Sequence, residues 1–178
     1  MRILALSGSL RAASINARLL REAARLAPVG LTFEYWERLD ELPHFSPERD
    51  IEPPPEPVAD LRARIRRADA LLVCSPEYIH AMPSVPKNLL EWVVSSGDCV
   101  GKPAAAWSAS PSREGGAKAQ ASLAHTLEMM SVQVVPEAGL CLTPGASGLD
   151  AEGKLLDPAQ AAQVKAAMEA LAAAGAGA

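Results

Sequence analysis

The chain has 178 residues, 49% of them hydrophobic and 21% charged, with a formal net charge of −4 at pH 7. That length fits one domain able to bury most of its apolar surface, and the acidic balance argues against nucleic acid as a partner, because duplex binders need a net basic face. No apolar run approaches the ~20 residues that cross a bilayer, the opening RILAL is shorter than an export-signal core, and the three scattered cysteines (Cys74, Cys99, Cys141) lack metal-ligand spacing, so a protein free in a reducing cytoplasm is expected.

Strand and helix signals alternate along the chain. Residues 2–7 (RILALS) form a nearly continuous apolar run, as in a strand covered on both faces. Ile15, Leu19, Leu20, Ala23 and Leu26 follow at helical spacing, and Pro28 with Gly30 ends them. LTFEYWE (31–37) alternates and is rich in strand formers. Segment 38–57, with its PPPEP run, is long for a connection; its prolines predict an extended, non-helical path on the surface, near the site or a subunit boundary. Val58, Leu61 and Ile65 predict a second helix whose other face carries Arg62, Arg64, Arg66 and Arg67. ADALLVCS (68–75) is a third strand, and Val85, Leu89, Trp92 and Val93 mark a third helix with Trp92 in the core. KPAAAWSAS (102–110) is a fourth strand, followed by a helix through Leu123, Leu127 and Met130. VQVV (132–135) is a fifth strand, and Val164, Met168 and Leu171 place a last helix near the C-terminus.

Five rounds of strand then helix imply an α/β fold with a parallel sheet and helices on both faces. The leading arrangement is a flavodoxin-like, doubly wound five-stranded sheet of order 2-1-3-4-5. The expected unit is a single domain over 1–178, frayed in the Ala-Gly run 173–178.

In open parallel sheets, ligands sit beyond the carboxyl ends of the strands, where strand order reverses. Three predicted strand-end loops share that edge: SGSLRAASIN, SPEYIHAMP and SASPSREGGAK. The first leads into a helix whose free N–H groups attract an anion. Ser9 and Ser14 offer hydroxyls, Asn16 an amide and Arg11 a fork that matches a phosphate, while Gly8 lets backbone approach a ligand. Gly-Lys-Ser/Thr and G-x-G-x-x-G are both missing, so the loop suits one mononucleotide phosphate. A plain helix cap at Ser14 with a solvated Arg11 explains the same residues, and the loop alone leaves both readings open.

GSLRAASIN, SPEYIHAMPSVPKNLLEWV and GKPAAAWSASPSREGGAKAQ, in this order, resemble the NADPH-dependent FMN reductases and the related bacterial quinone and chromate reductases. The resemblance spans about residues 2 to 135. It implies FMN with its phosphate on residues 9 to 16, among them Ser9, Arg11, Ser14, Ile15 and Asn16. It places the ring against the main chain of Pro76, Glu77, Tyr78, Ile79 and His80, with Ser108 and Ser110 on the far side. It also implies NADPH or NADH as co-substrate, a small-molecule acceptor (a quinone, a flavin, an azo compound or a metal oxyanion) and a homodimer or homotetramer, a state to which Trp36 and the proline-rich segment add a weak hint. Bound cofactor would carry the chemistry, with no catalytic triad. His80 is a candidate proton donor, although a lone histidine is more often incidental, and it forms no metal cluster with His44 or His125.

The third-strand loop departs from the family pattern: Ile79 stands where asparagine is frequent, His80 follows it, Ser84 replaces a usual glycine and Pro86 precedes Lys87. Loss of the asparagine affects side-chain contacts to a ring, not main-chain ones. Two other functions remain in view. A non-enzymatic flavodoxin-like electron carrier would usually be far more acidic, and an FMN-less interaction protein would be signalled by the altered EYIH loop.

Overall fold

The computed structural model describes residues 1–144 and 148–176. Its parallel sheet contains β1 (Arg2–Ser7), β2 (Thr32–Trp36), β3 (Ala70–Cys74), β4 (Pro103–Ala109), β5 (Gln133–Val134) and β6 (Leu140–Leu142). The strand order is β2-β1-β3-β4-β5, with β6 also paired to β4. The flavodoxin-like order expected from the alternation is therefore present.

Alternation along the strands divides the core. Leu4 and Leu6 of β1 join the layer beneath α2 (Glu56–Arg67), α3 (Ser84–Val94) and α4 (Ala117–Met129). Ile3 and Ala5 point the other way, under α1 (Ile15–Leu26) and α5 (Pro158–Ala176). Both layers are closed, so the central strands read as unbroken apolar runs. In β4, Ala104, Ala105 and Ala106 are fully buried, and their small side chains leave room for helices on either side.

The fifth strand is split, which the sequence reading of 132–135 as one strand missed. Pro136 lacks an N–H and opens a single 3-10 turn, Pro136–Ala138. Register runs from Ala104 opposite Val134 to Trp107 opposite Leu140, so three steps on β4 face six on its partner. The excess loops out, and Trp107 Nε1 donates to the Ala138 carbonyl at 2.6 Å to hold it.

Three other expectations are corrected. Segment 38–57 is not wholly extended: Leu39–Glu41 and Pro47–Arg49 form 3-10 turns, and α2 begins at Glu56 with Pro57 in its first turn, where proline's missing N–H costs nothing. α5 continues through Ala176, so residues 173–176 are helical rather than frayed; 177–178 lie outside the described residues. The third concerns the arginine face of α2. Arg62 is buried, not solvated: its guanidinium donates to the Trp92 carbonyl, to Ser95 Oγ at 2.9 Å and to Asp50 at 2.7 Å. Trp92 is core, as expected, and its indole N–H donates to the Pro43 carbonyl at 2.8 Å. Trp36 is also buried and donates to Asp60, so it is spent within the chain and supports no dimer.

Arg62 and Asp50 leave only 8% and 9% of their side chains exposed. Hydrogen bonding with Ser95, then the Arg62 guanidinium, holds the Asp50 carboxyl below the usual carboxylate range against the opposing effect of burial. Removing one partner strands a buried charge, so Arg62→Ala should cost about 3 kcal/mol at pH 7, read from urea unfolding. A depressed carboxylate pKa stabilises the fold above the unfolded value of about 3.9 and loses that contribution as pH falls through the folded value. Asp50→Asn should therefore be less stable than wild type at pH 7, and the gap should close below about pH 4. A gap independent of pH would show that the carboxylate's charge contributes nothing.

Candidate functional site

The loop after β1 reaches α1 through Ser14, whose Oγ accepts from the Ala17 N–H at 3.3 Å. The cap reading of Ser14 is thus correct, and it does not exhaust the helix end. The N–H groups of Ile15 and Asn16, first in the helix, have no intrahelical partner. Ser9 Oγ accepts from the Arg11 N–H at 3.3 Å, and the Arg11 side chain lies exposed above the turn.

A narrow cleft of about 90 Å³ joins this loop to the other two strand ends. Ser9, Arg11, Ser14, Ile15, Asn16, Pro76, Glu77, Tyr78 and Ser110, all singled out from the sequence, line it. Ala109 and Pro111 complete it; sequence reasoning missed both, although they flank Ser110 in the fourth-strand loop. Such a volume is below the ~300 Å³ of an ordinary ligand pocket. It suits a phosphate and the chain attached to it, with any flat ring lying on the open surface near Tyr78, which is 51% exposed.

Four residues sit differently from the sequence reading. Asn16 is buried, with Nδ2 donating to the Ala109 carbonyl at 3.2 Å and Oδ1 accepting from the Ala109 N–H at 3.0 Å and the Cys74 thiol at 3.1 Å. Its amide binds protein first. Ser108 lies within β4, fully buried beneath Gly116, and its Oγ has no partner among the described residues; of the two serines only Ser110, the first residue past the strand, lines the cleft. Gly8 admits Pro86 rather than a ligand, since a Cβ there would meet the Pro86 ring at 2.9 Å. Glu77 caps α4: its Oε2 accepts from the Lys118 and Ala119 N–H groups at 3.0 and 3.1 Å, favourable against the positive helix end. A contact 41 residues distant has no local signal.

Ile79 and His80 stand at the rim. Tyr78 and Ala81 exchange both backbone hydrogen bonds at 3.1 Å, and the two residues between have φ of 53° and 56°. That is a type I′ turn, which demands two left-handed residues and favours Asn-Gly. The family's asparagine at position 79 thus has a backbone reason, and isoleucine keeps the turn at a cost. His80 Nδ1 lies 3.6 Å from Glu77 Oε1, its side chain largely exposed.

Residues 1–145 match the family described as NADPH-dependent FMN reductase. The chain belongs to that family. An NAD(P)H-dependent FMN reductase of Pseudomonas aeruginosa is 35% identical over 159 residues, covering 88% of this chain and 85% of the relative. A quinone reductase of Pseudomonas putida is 32% identical, covering 84% and 82%. Among solved structures, the flavoenzyme NAD(P)H:(acceptor) oxidoreductase FerB of Paracoccus denitrificans superposes with a TM-score of 0.90 at 28% identity, covering 99% of this chain and 97% of that one. The FMN reductase chain described above is therefore an NAD(P)H-dependent oxidoreductase with FMN as its cofactor.

Ile79 is 97% exposed, so replacing it removes no packing. Relieving a β-branched residue of a left-handed conformation should stabilise the protein by about 1 kcal/mol. Ile79→Asn is expected to raise the unfolding free energy read from urea titration by that amount, and an unchanged or lower value would show that the turn carries no strain.

Proposed function

We propose that the cleft between the β1, β3 and β4 loops is the FMN site and that the protein passes reducing equivalents from NAD(P)H to a quinone. The observation that carries this reading is the convergence of Ser9, Arg11, Ser14, Tyr78 and Ser110, from three separate loops, on one cleft at the carboxyl edge. The residues fit the cofactor. The unpaired N–H groups at the start of α1 and the exposed Arg11 offer donors to a phosphate dianion. The backbone of Pro76 to His80 forms a raised turn against which a flat ring can lie.

When bound, FMN supplies hydride acceptance and return. The chain's own residues bind, orient and limit access. Pro76 and Tyr78 give one wall, and Glu77 fixes that wall to α4 through two hydrogen bonds. The fully exposed Ile79 and the half-exposed Tyr78 leave an apolar rim suited to a planar, uncharged acceptor. The quinone reductases among the relatives support that class, as does a 2-hydroxy-1,4-benzoquinone reductase of a Burkholderia species at 31% identity over 88% of this chain. Free flavin, azo compounds and metal oxyanions are further acceptors for the same open surface. The proposal takes the chain as one FMN-binding unit, assembled as a homodimer or homotetramer. A cytoplasmic setting is supported by three free cysteines, and no helix among the described residues is long and apolar enough to cross a membrane.

Because one cleft serves both substrates in turn, NAD(P)H with benzoquinone should give parallel double-reciprocal lines. Intersecting lines would mean both bind together, and no nicotinamide oxidation with any acceptor would return the electron-carrier reading. Arg11→Ala should weaken FMN about ten- to a hundred-fold, the worth of one charge-assisted hydrogen bond, while riboflavin, which lacks the phosphate, binds both proteins alike. Equal FMN affinity in fluorescence titrations would make Arg11 a bystander.

A further inference from the structure

A second cavity, of about 350 Å³, opens beside the FMN cleft at the ends of β1 and β2 and shares Ser9 and Arg11 with it. The FMN reading leaves it unused, yet its size falls within the range of ordinary ligand sites. Its walls mix an apolar side, the exposed Leu10 backed by the buried Trp36 and Leu39, and a polar side, with Arg18, Arg21 and Glu37. A nucleoside needs both, a flat surface for its base and donors and acceptors for its ribose.

The charges go further. Arg11, Arg18 and Arg21 face two carboxylates, Glu37 and Asp40, so the cavity is net positive. Arg18 gives one N–H to the Asp150 carbonyl; this steadies the guanidinium without neutralising it, and an arginine has further donors to spare. Arg21 lies over the Tyr35 ring at 5.0 Å and pairs with Glu37. That pair is 59% and 66% exposed, and exposed pairs contribute little, so a phosphate dianion can take Arg21 from Glu37 at small cost. Ser7 Oγ, shielded from solvent in a residue lining the cavity, has no hydrogen-bond partner among the described residues.

We propose that this cavity holds the adenosine end of NADPH, with the 2′-phosphate between Arg18 and Arg21, and so selects NADPH over NADH. The inference rests on nicotinamide use by the adjoining cleft. The two spaces share Ser9 and Arg11 as walls, so a dinucleotide whose nicotinamide lies near Tyr78 would cross the β1 loop to enter the second. Glu37 faces the ribose and favours a free 2′-hydroxyl, which a carboxylate accepts; Arg18 and Arg21 oppose that preference with two fixed positive charges.

Calorimetric titration of the FMN-loaded protein with 2′,5′-ADP and with 5′-AMP tests the site without turnover. Wild type should bind 2′,5′-ADP at least about tenfold more tightly, the worth of one charge-assisted bond. Arg21→Ala and Arg18→Ala should each erase most of that preference, and Arg21→Lys should keep part of it, since an ammonium retains charge without the planar fork. In steady state, the ratio of KM for NADPH to KM for NADH should rise about tenfold in Arg21→Ala. Equal binding of the two fragments by wild type, or an undiminished preference in both alanine variants, would overturn the proposal. If wild type oxidised neither nicotinamide, the proposed function would fall while the fragment titration still decided what the cavity binds.

Discussion

Asn16 closes its amide on both backbone groups of Ala109 and accepts the thiol proton of Cys74, and the spacing of the three strand-end loops depends on that one buried side chain. It stands in the first turn of α1, while Cys74 ends β3 and Ala109 ends β4. Its acceptor and donor fix the helix start against two strands at once. Burial pushes the Cys74 thiol well above its ordinary pKa, which keeps the proton on sulfur and preserves the donor. Leaving the Ala109 groups unpaired in the interior would cost about 1–3 kcal/mol each, so α1 cannot drift from β4 without a penalty comparable to a large share of total stability. The start of α1 thereby keeps one position relative to both strand ends.

The same edge is braced from the opposite layer. Asn88 accepts the Phe45 N–H and donates to the Pro43 carbonyl, where the Trp92 indole also donates. Phe45 packs edge-on against Trp92 with centroids 5.1 Å apart, and Arg62 closes the far end of α3 through the Trp92 carbonyl. Segment 38–57 is thus a strap over α3, not a loose connection. The consequence reaches the cleft, because Pro86, in the first turn of α3, is pressed against Gly8 of the loop after β1. Pro86 departs from the family pattern, yet here it is the rigid surface on which that loop rests.

How far the sequence discloses this depends on the range of each interaction. Helices and strands were readable because their periodicity is local, and the alternation implied a parallel sheet with the flavodoxin-like order as its leading arrangement. The cleft was readable because three polar loops interrupt apolar runs at the same ends. The long-range satisfaction of single polar groups was not. Asn16 looked free because its partners lie 58 and 93 residues away, Arg62 looked solvated because its charge partner sits in a proline-rich loop, and Ser108 looked available because Gly116, which covers it, comes from the start of α4. The cavity at β1 and β2 escaped notice for a related reason: its arginines are spaced along α1 as an ordinary charged face, and only the return of β2 beside them encloses a space.

The turn at Tyr78–Ala81 shows what the fold holds constant when sequence changes. Ile79 and His80 depart from the family pattern, and the backbone adopts two successive left-handed residues there. Local preference cannot account for this, since isoleucine disfavours that conformation. Such a conformation persists only where surroundings over-determine it. Here the paired hydrogen bonds between Tyr78 and Ala81 set the turn from within. Glu77, just before it, is clamped to the start of α4, and Met82, just after it, is buried in the core. Position 79 then carries nothing for the turn's shape. A side chain there is free to vary with what lies in front of it, while the main chain behind keeps one geometry.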